Sequence, residues 1–136
     1  MKKLVVTGAA VWVLLVAGSV FAHHSPVMFD RAKKQTITGT VKEFSWTNPH
    51  ASIQLEVPNA KGAPEVWGVE MNSPNNLVKQ GWKSSIVKGG DKVSIVINPL
   101  RTGEHGGAFV SIKLPDGKVL GDKWTEDIES KGVVGK

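Results

Sequence analysis

The four histidines are the residues of this 136-residue chain with the clearest capacity for chemistry. His23 and His24 stand together, His50 follows Thr47-Asn48-Pro49, and His105 lies in a glycine-flanked stretch. There is no cysteine, which excludes a disulfide, a thiolate nucleophile and Cys-ligated zinc or iron–sulfur sites. What remains is imidazole chemistry. A histidine at a mature N-terminus offers a metal both its ring and its α-amine, and that amine loses its proton more readily than a lysine's. One or two further imidazoles make a nitrogen-rich set of the kind Cu(II) prefers and Zn(II) also accepts. His23, His24, His50 and His105 are therefore candidate ligands of Cu(II) or Zn(II). Each also has a plainer reading, as flexible leader, strand start or solvated loop residue.

Beside His50 stand Trp46 and Asn48, an aromatic face and a polar amide suited to a small molecule or oligosaccharide without metal. Trp67 falls in core phase and Trp82 at a helix end, so neither reads as a ligand platform. Glu70 is a candidate acid or ligand, but alternation makes it the outward residue of its strand or a partner for the tryptophan region. Asn48-Pro49 is by itself a turn starter. No G-x-S-x-G elbow, H-E-x-x-H helix, P-loop or dinucleotide-binding glycine pattern is present, so no catalytic activity is expected.

These residues must be positioned by a small exported domain. Lys2 and Lys3, an apolar run from Leu4 to Val16, and Val20 and Ala22 before His23 form a secretory signal over residues 1–22. The run is short for a membrane span, so none is expected after cleavage, and the mature chain is expected to be periplasmic or secreted. Without Lys2 and Lys3, 15 basic and 12 acidic residues remain, interspersed as on a solvated surface. That balance and that compartment lead to the expectation of no nucleic-acid partner.

The pattern is β-rich. The first strand, Thr36 to Trp46, changes phase between Ile37/Val41 and Phe44/Trp46, as a bulge requires, with Gly39 offering a bend. Ala51 to Val57 alternates strictly, and a turn through Asn59, Lys61, Gly62 and Pro64 leads into Trp67, Val69 and Met71. Ser73 as N-cap, Pro74 at N1 and Gly81 at C′ frame a short helix, with Trp82 packing back on Leu77. A Gly89-Gly90-Asp91 turn precedes Val93, Ile95 and Ile97. After a loop over residues 98–107, Ala108, Val110, Ile112 and Leu114 are read as facing one way. Pro115-Asp116-Gly117 then turns into a short extension to Leu120.

Strand, strand, strand, helix, strand, strand predicts an all-β fold: a five-stranded OB-like Greek-key barrel with one short helix between strands three and four. The barrel domain is expected over residues 23–120, followed by a polar tail over residues 121–136. In such a barrel the loops bearing His50 and His105 flank one binding face, so the two imidazoles, 55 positions apart, are expected to be neighbours.

His23-His24-Ser25 with Phe29-Asp30, Thr38-Gly39-Thr40-Val41, Trp46-Thr47-Asn48-Pro49-His50, Glu70 with Ser73-Pro74-Asn75 and Leu77, Gly81-Trp82, Gly90-Asp91 and Leu114-Pro115-Asp116-Gly117 resemble a family of small exported bacterial proteins. The resemblance spans His23 to Leu120 and implies export and a shared β fold, with no activity, substrate or site attached. The terminal histidine also resembles the histidine brace of exported copper proteins, although Met28 and Met71 are isolated and the methionine-rich loops of copper carriers are missing. The leading expectation is a periplasmic metal-binding domain. The alternatives are a metal-free small-molecule or oligosaccharide module, which resembles exported OB-fold proteins linked to envelope stress, and an accessory domain docking on a larger exported protein.

Overall fold

The computed structural model describes residues 28–122. The expected leader over residues 1–22, His23, His24 and the tail beyond Asp122 lie outside the described residues. The elements are β1 (Gln35–Ser45), β2 (Ser52–Pro58), β3 (Pro64–Glu70), α1 (Pro74–Lys79), β4 (Lys92–Pro99), β5 (Gly106–Lys113) and β6 (Val119–Gly121). Their sheet order is β3-β2-β1-β4-β5-β6, and a further pairing of β3 with β5 closes the first five strands into a barrel. The fold is the expected all-β, OB-like barrel, with a single short helix between β3 and β4. Among the described residues no helix is long and apolar enough to cross a membrane.

The first strand bends where the sequence changes phase. Val41 pairs with Leu55 and Glu43 with Gln54, which leaves Lys42 as the extra residue of a bulge. β1 pairs with β2 on one side and β4 on the other, and at Gly39 the sheet draws close. A Cβ there would run into the Glu56 carbonyl, so only glycine fits.

The fifth strand departs from strict alternation. Val96 pairs with Ser111 and Ile97 with Phe109, so Val110 is the unpaired residue of a second bulge. The inward set is therefore Phe109, Ile112 and Leu114, all buried, and not Ala108 and Val110. Simple alternation fails because one extra residue exchanges the two faces of a strand.

α1 ends as its sequence requires. Gly81 takes φ +89°, Trp82 N–H donates to the Leu77 carbonyl at 3.0 Å, and Gly81 N–H donates to that of Val78 at 3.0 Å. These are the paired bonds of a Schellman cap, and they turn Trp82 into the core, where it is 2% exposed. At six residues the helix is too short to stand alone, so its packing through Leu77 and Trp82 holds it.

Ile53, Leu55, Ile95, Ile97 and Ile112 are fully enclosed in the barrel with Leu77, Val69 and Trp82. Each buried aliphatic of this size contributes about 1.5–3 kcal/mol relative to exposure. In a chain without disulfides, this apolar centre carries the stability. Order also extends beyond Leu120: Asp122 is 2% exposed and accepts from Gln80 Nε2 at 3.0 Å, while Trp82 Nε1 donates to the Gly121 carbonyl at 3.2 Å.

Two contacts of the barrel wall position the site. β3 and β5 run parallel, with Gly68 opposite Gly106 and Glu70 opposite Ala108. The β4–β5 loop is thereby rooted on β3. At its other end, Phe29 makes an antiparallel bridge with Leu100, Asp30 N–H donates to the Pro99 carbonyl at 2.8 Å, and Arg101 N–H donates to that of Met28 at 2.9 Å. The segment before β1 thus lies along the start of this loop. Asn98, 1% exposed, holds it there through Nδ2 to the Lys33 carbonyl at 2.8 Å.

Candidate functional site

A cleft of about 460 Å³ opens on the outer face of β2 and β3, between the β1–β2 loop and the β4–β5 loop. Its floor is polar and strand-borne: Ser52 and Gln54 of β2 lie opposite Glu70 and Gly68 of β3. Gly68 gives the floor depth, since a Cβ there would meet nothing within 4 Å. One wall is the β1–β2 loop, Thr47 to His50, in which the Asn48–Pro49 peptide is cis. The other is largely apolar, built from Met28, Phe29 and Leu100, with Glu104 at the rim. Its size and mixed lining are those of a small-ligand site.

His50 is the best-defined polar group of this cleft. Its Nδ1 lies 3.0 Å from the Met71 carbonyl. A carbonyl oxygen can only accept, so Nδ1 carries the proton and the neutral ring keeps a lone pair on Nε2. Nε2 lies 3.9 Å from Glu70 Oε1, too far for a hydrogen bond, with the His50 side chain 51% and Glu70 26% exposed. The pairing register explains the approach. With Pro58 opposite Pro64 and Ser52 opposite Glu70, His50 is carried two positions further on the same pleat face as Ser52. Ala51 N–H donates to the Asn72 carbonyl at 3.1 Å, extending the hairpin to its neighbour. A histidine whose second nitrogen is fixed by a carbonyl, with a carboxylate nearby, has the outer-shell arrangement common to metal-ligating histidines.

His105 is elsewhere. Its ring lies flat on Trp67, centroids 4.7 Å apart and planes at 10°, and its Nε2 is 3.5 Å from Glu65 Oε2. Gly68 N–H donates to the His105 carbonyl at 3.1 Å, which fixes that end of the loop on β3. Trp67 and Glu65 have the opposite parity to Glu70, so the two histidines take partners on opposite pleat faces of β3. The stretch of β3 between Trp67, where His105 lies, and Met71, which holds His50, spans about 13 Å of strand. The expectation that the loops bring His50 and His105 together is corrected here: both loops flank the cleft, but the ring of His105 turns away onto Trp67. Aromatic stacking on a half-buried indole, invisible in a lone loop histidine, decides its direction.

Asn48 lines the cleft. Trp46 does not; it packs against the core and edge-on to Phe44 with ring centroids 5.6 Å apart. Glu70 faces outward beside His50 and makes no bond toward the tryptophans. Among the described residues no three His, Asp or Glu side chains gather closely enough to hold a metal by themselves. His23 and His24 lie outside the described residues, but Met28, only a few positions downstream, forms part of the cleft wall. Sequence reasoning passed over Glu104 and the apolar wall of Met28, Phe29 and Leu100. The only signal for them was the hydrophobicity of two isolated segments, whose pairing is a long-range event.

The solved structures similar to this fold include two of the mitochondrial single-stranded DNA-binding protein Rim1 of S. cerevisiae. One matches at 15% identity and a TM-score of 0.47, covering 61% of this chain and 93% of that one. The other, selenomethionine-labelled, matches at 12% identity and a TM-score of 0.45, covering 61% of this chain and 94% of that one. These neighbours correct the expectation of no nucleic-acid partner, which compartment and charge balance alone had suggested. None of the curated proteins matches. The sequence model of a family of unknown function, DUF6152, matches residues 10–109, and the chain belongs to that family.

Proposed function

For this member of the DUF6152 family, we propose a non-enzymatic binding domain whose ligand, a Cu(II) or Zn(II) ion, is held in the cleft through His50 Nε2 and Glu70. The observation that carries the reading is the fixed tautomer of His50: Nδ1 is committed to the Met71 carbonyl, and the free lone pair points toward a carboxylate at 3.9 Å. Imidazole nitrogen and carboxylate oxygen suit both ions, which bind such donors at about 2.0–2.2 Å. The domain acts in the periplasm or outside the cell. Lys2-Lys3, the apolar run to Val16 and the Val20/Ala22 site support that placement.

A second reading rests on the apolar wall. Met28, Phe29 and Leu100 facing Asn48 suit a small organic molecule held by apolar contact and oriented by one or two polar groups.

The test is titration of the purified protein with Cu(II) and with Zn(II), beside His50→Ala, Glu70→Gln and Gly68→Leu. Micromolar or tighter binding that weakens in the first two variants supports the metal reading. Gly68→Leu, which fills the floor of the cleft, should abolish binding of an organic ligand in a fluorescence screen. Failure of both metals to bind overturns the first reading. Binding of a single-stranded oligonucleotide that competes with the metal would overturn it too, by giving the same face to a polymer.

A further inference from the structure

We infer that the cleft selects a cationic organic ligand: a primary amine whose ammonium group sits between Glu70 and His50 and whose carbon body lies on the wall of Met28, Phe29 and Leu100. This rests on the second reading above, an organic ligand in the cleft, and names its chemical class. The chain as a whole is basic, with 17 lysines and arginines against 12 acidic residues. The cleft runs against that balance. Its lining holds two carboxylates, Glu70 and Glu104, and no lysine or arginine.

The polar groups with fixed roles are all acceptors. His50 commits its Nδ1 proton to the Met71 carbonyl, which leaves a lone pair on Nε2. The Glu70 side chain is 26% exposed, and its contact with that Nε2 is 3.9 Å long. Among the described residues no donor bonds its carboxylate. A carboxylate drawn partly out of water in this way is best satisfied by a charged N–H. Two acceptors 3.9 Å apart leave room for one ammonium nitrogen that donates to both, at about 2.7–2.9 Å each. At the rim, Glu104 accepts from Thr102 Oγ1 through Oε2 at 2.9 Å and keeps its other oxygen for the ligand. Its charge also draws a cation toward the mouth. Asn48, Ser52 and Gln54 can each donate or accept, so they do not choose the ligand's charge. The apolar wall sets the rest of the ligand, since carbon laid on Met28, Phe29 and Leu100 leaves water.

The experiment is calorimetric titration of the protein, with a chelator present, using 2-phenylethylamine, 2-phenylethanol and 3-phenylpropanoate. Glu70→Gln and Gly68→Leu are compared with the parent, and thermal unfolding of each checks that the barrel is intact. The amine is expected to bind at least roughly tenfold more tightly than the alcohol, and the carboxylate more weakly than either. Glu70→Gln should lower the affinity for the amine roughly tenfold and leave that for the alcohol unchanged, while Gly68→Leu abolishes both. If the alcohol or the carboxylate binds as tightly as the amine and Gly68→Leu removes it, the inference fails and the organic-ligand reading stands. Equal affinity for the amine in the parent and in Glu70→Gln also overturns the inference. If no probe binds the parent, or if Gly68→Leu leaves binding unchanged, the inference and the reading fall together.

Discussion

His105 lies flat against Trp67, with ring centroids 4.7 Å apart and planes within 10° of parallel. This contact pins the end of the β4–β5 loop to the strand that forms the floor of the cleft. Glu65 adds a partner at 3.5 Å, but both side chains of that pair are more than a third exposed, so solvent screens it.

Stacking should therefore outweigh charge at this loop. His105→Ala is expected to cost about 0.5–1.5 kcal/mol and to alter tryptophan emission. Glu65→Gln should cost no more than about 1 kcal/mol, less at high salt. Urea unfolding followed by fluorescence, at low and high salt, separates the two. A larger loss in Glu65→Gln than in His105→Ala would reverse the order.

Barrel closure depends on the absence of a side chain at one point. A Cβ on Gly106 would lie 2.7 Å from the Gly68 carbonyl, whereas one on Gly68 would meet nothing within 4 Å. Gly106→Ala is expected to destabilise by about 1–3 kcal/mol, and Gly68→Ala by under about 1 kcal/mol. Paired thermal melts of the two variants check the contrast.

The helix terminus gives a third expectation. At φ +89°, Gly81 occupies a region that costs an L-residue about 1–2 kcal/mol. Gly81→Ala should lose that much in denaturant unfolding, while Val78→Ala, on the exposed side of the same turn, should change little.

Asn98 fastens the N-terminal segment by its amide to the Lys33 carbonyl. Asn98→Ala removes this donor from that carbonyl and should cost about 1–3 kcal/mol. Hydrogen exchange should show the Asp30 and Arg101 amides losing protection before those of β4. Unchanged protection there would mean that the Phe29 bridge holds the segment unaided.

The parts of this fold legible in the sequence are those set by neighbours along the chain. Ser73, Pro74, Gly81 and Trp82 announce the helix and its cap because each acts within one or two turns. Ala51, Ile53 and Leu55 announce β2 through simple alternation. The bulge at Val110 escaped because Val and Phe109 are both apolar, and hydrophobicity does not say which of two adjacent apolar residues turns inward. The site was half legible. His50 and Asn48 stand out around the turn-starting Asn48-Pro49, but the approach of His50 to Glu70 emerges only from the β2–β3 register. The direction of His105, by contrast, depends on Trp67, a contact between distant segments that no local pattern encodes.

The indole of Trp82 reaches the Gly121 carbonyl, and Gln80 reaches Asp122. Gly121 and Asp122 therefore form a clasp across the helix, and a fragment that ends at position 120 lacks it. Such a fragment would leave the buried indole N–H without its carbonyl and loosen the end of the helix, even with every strand intact.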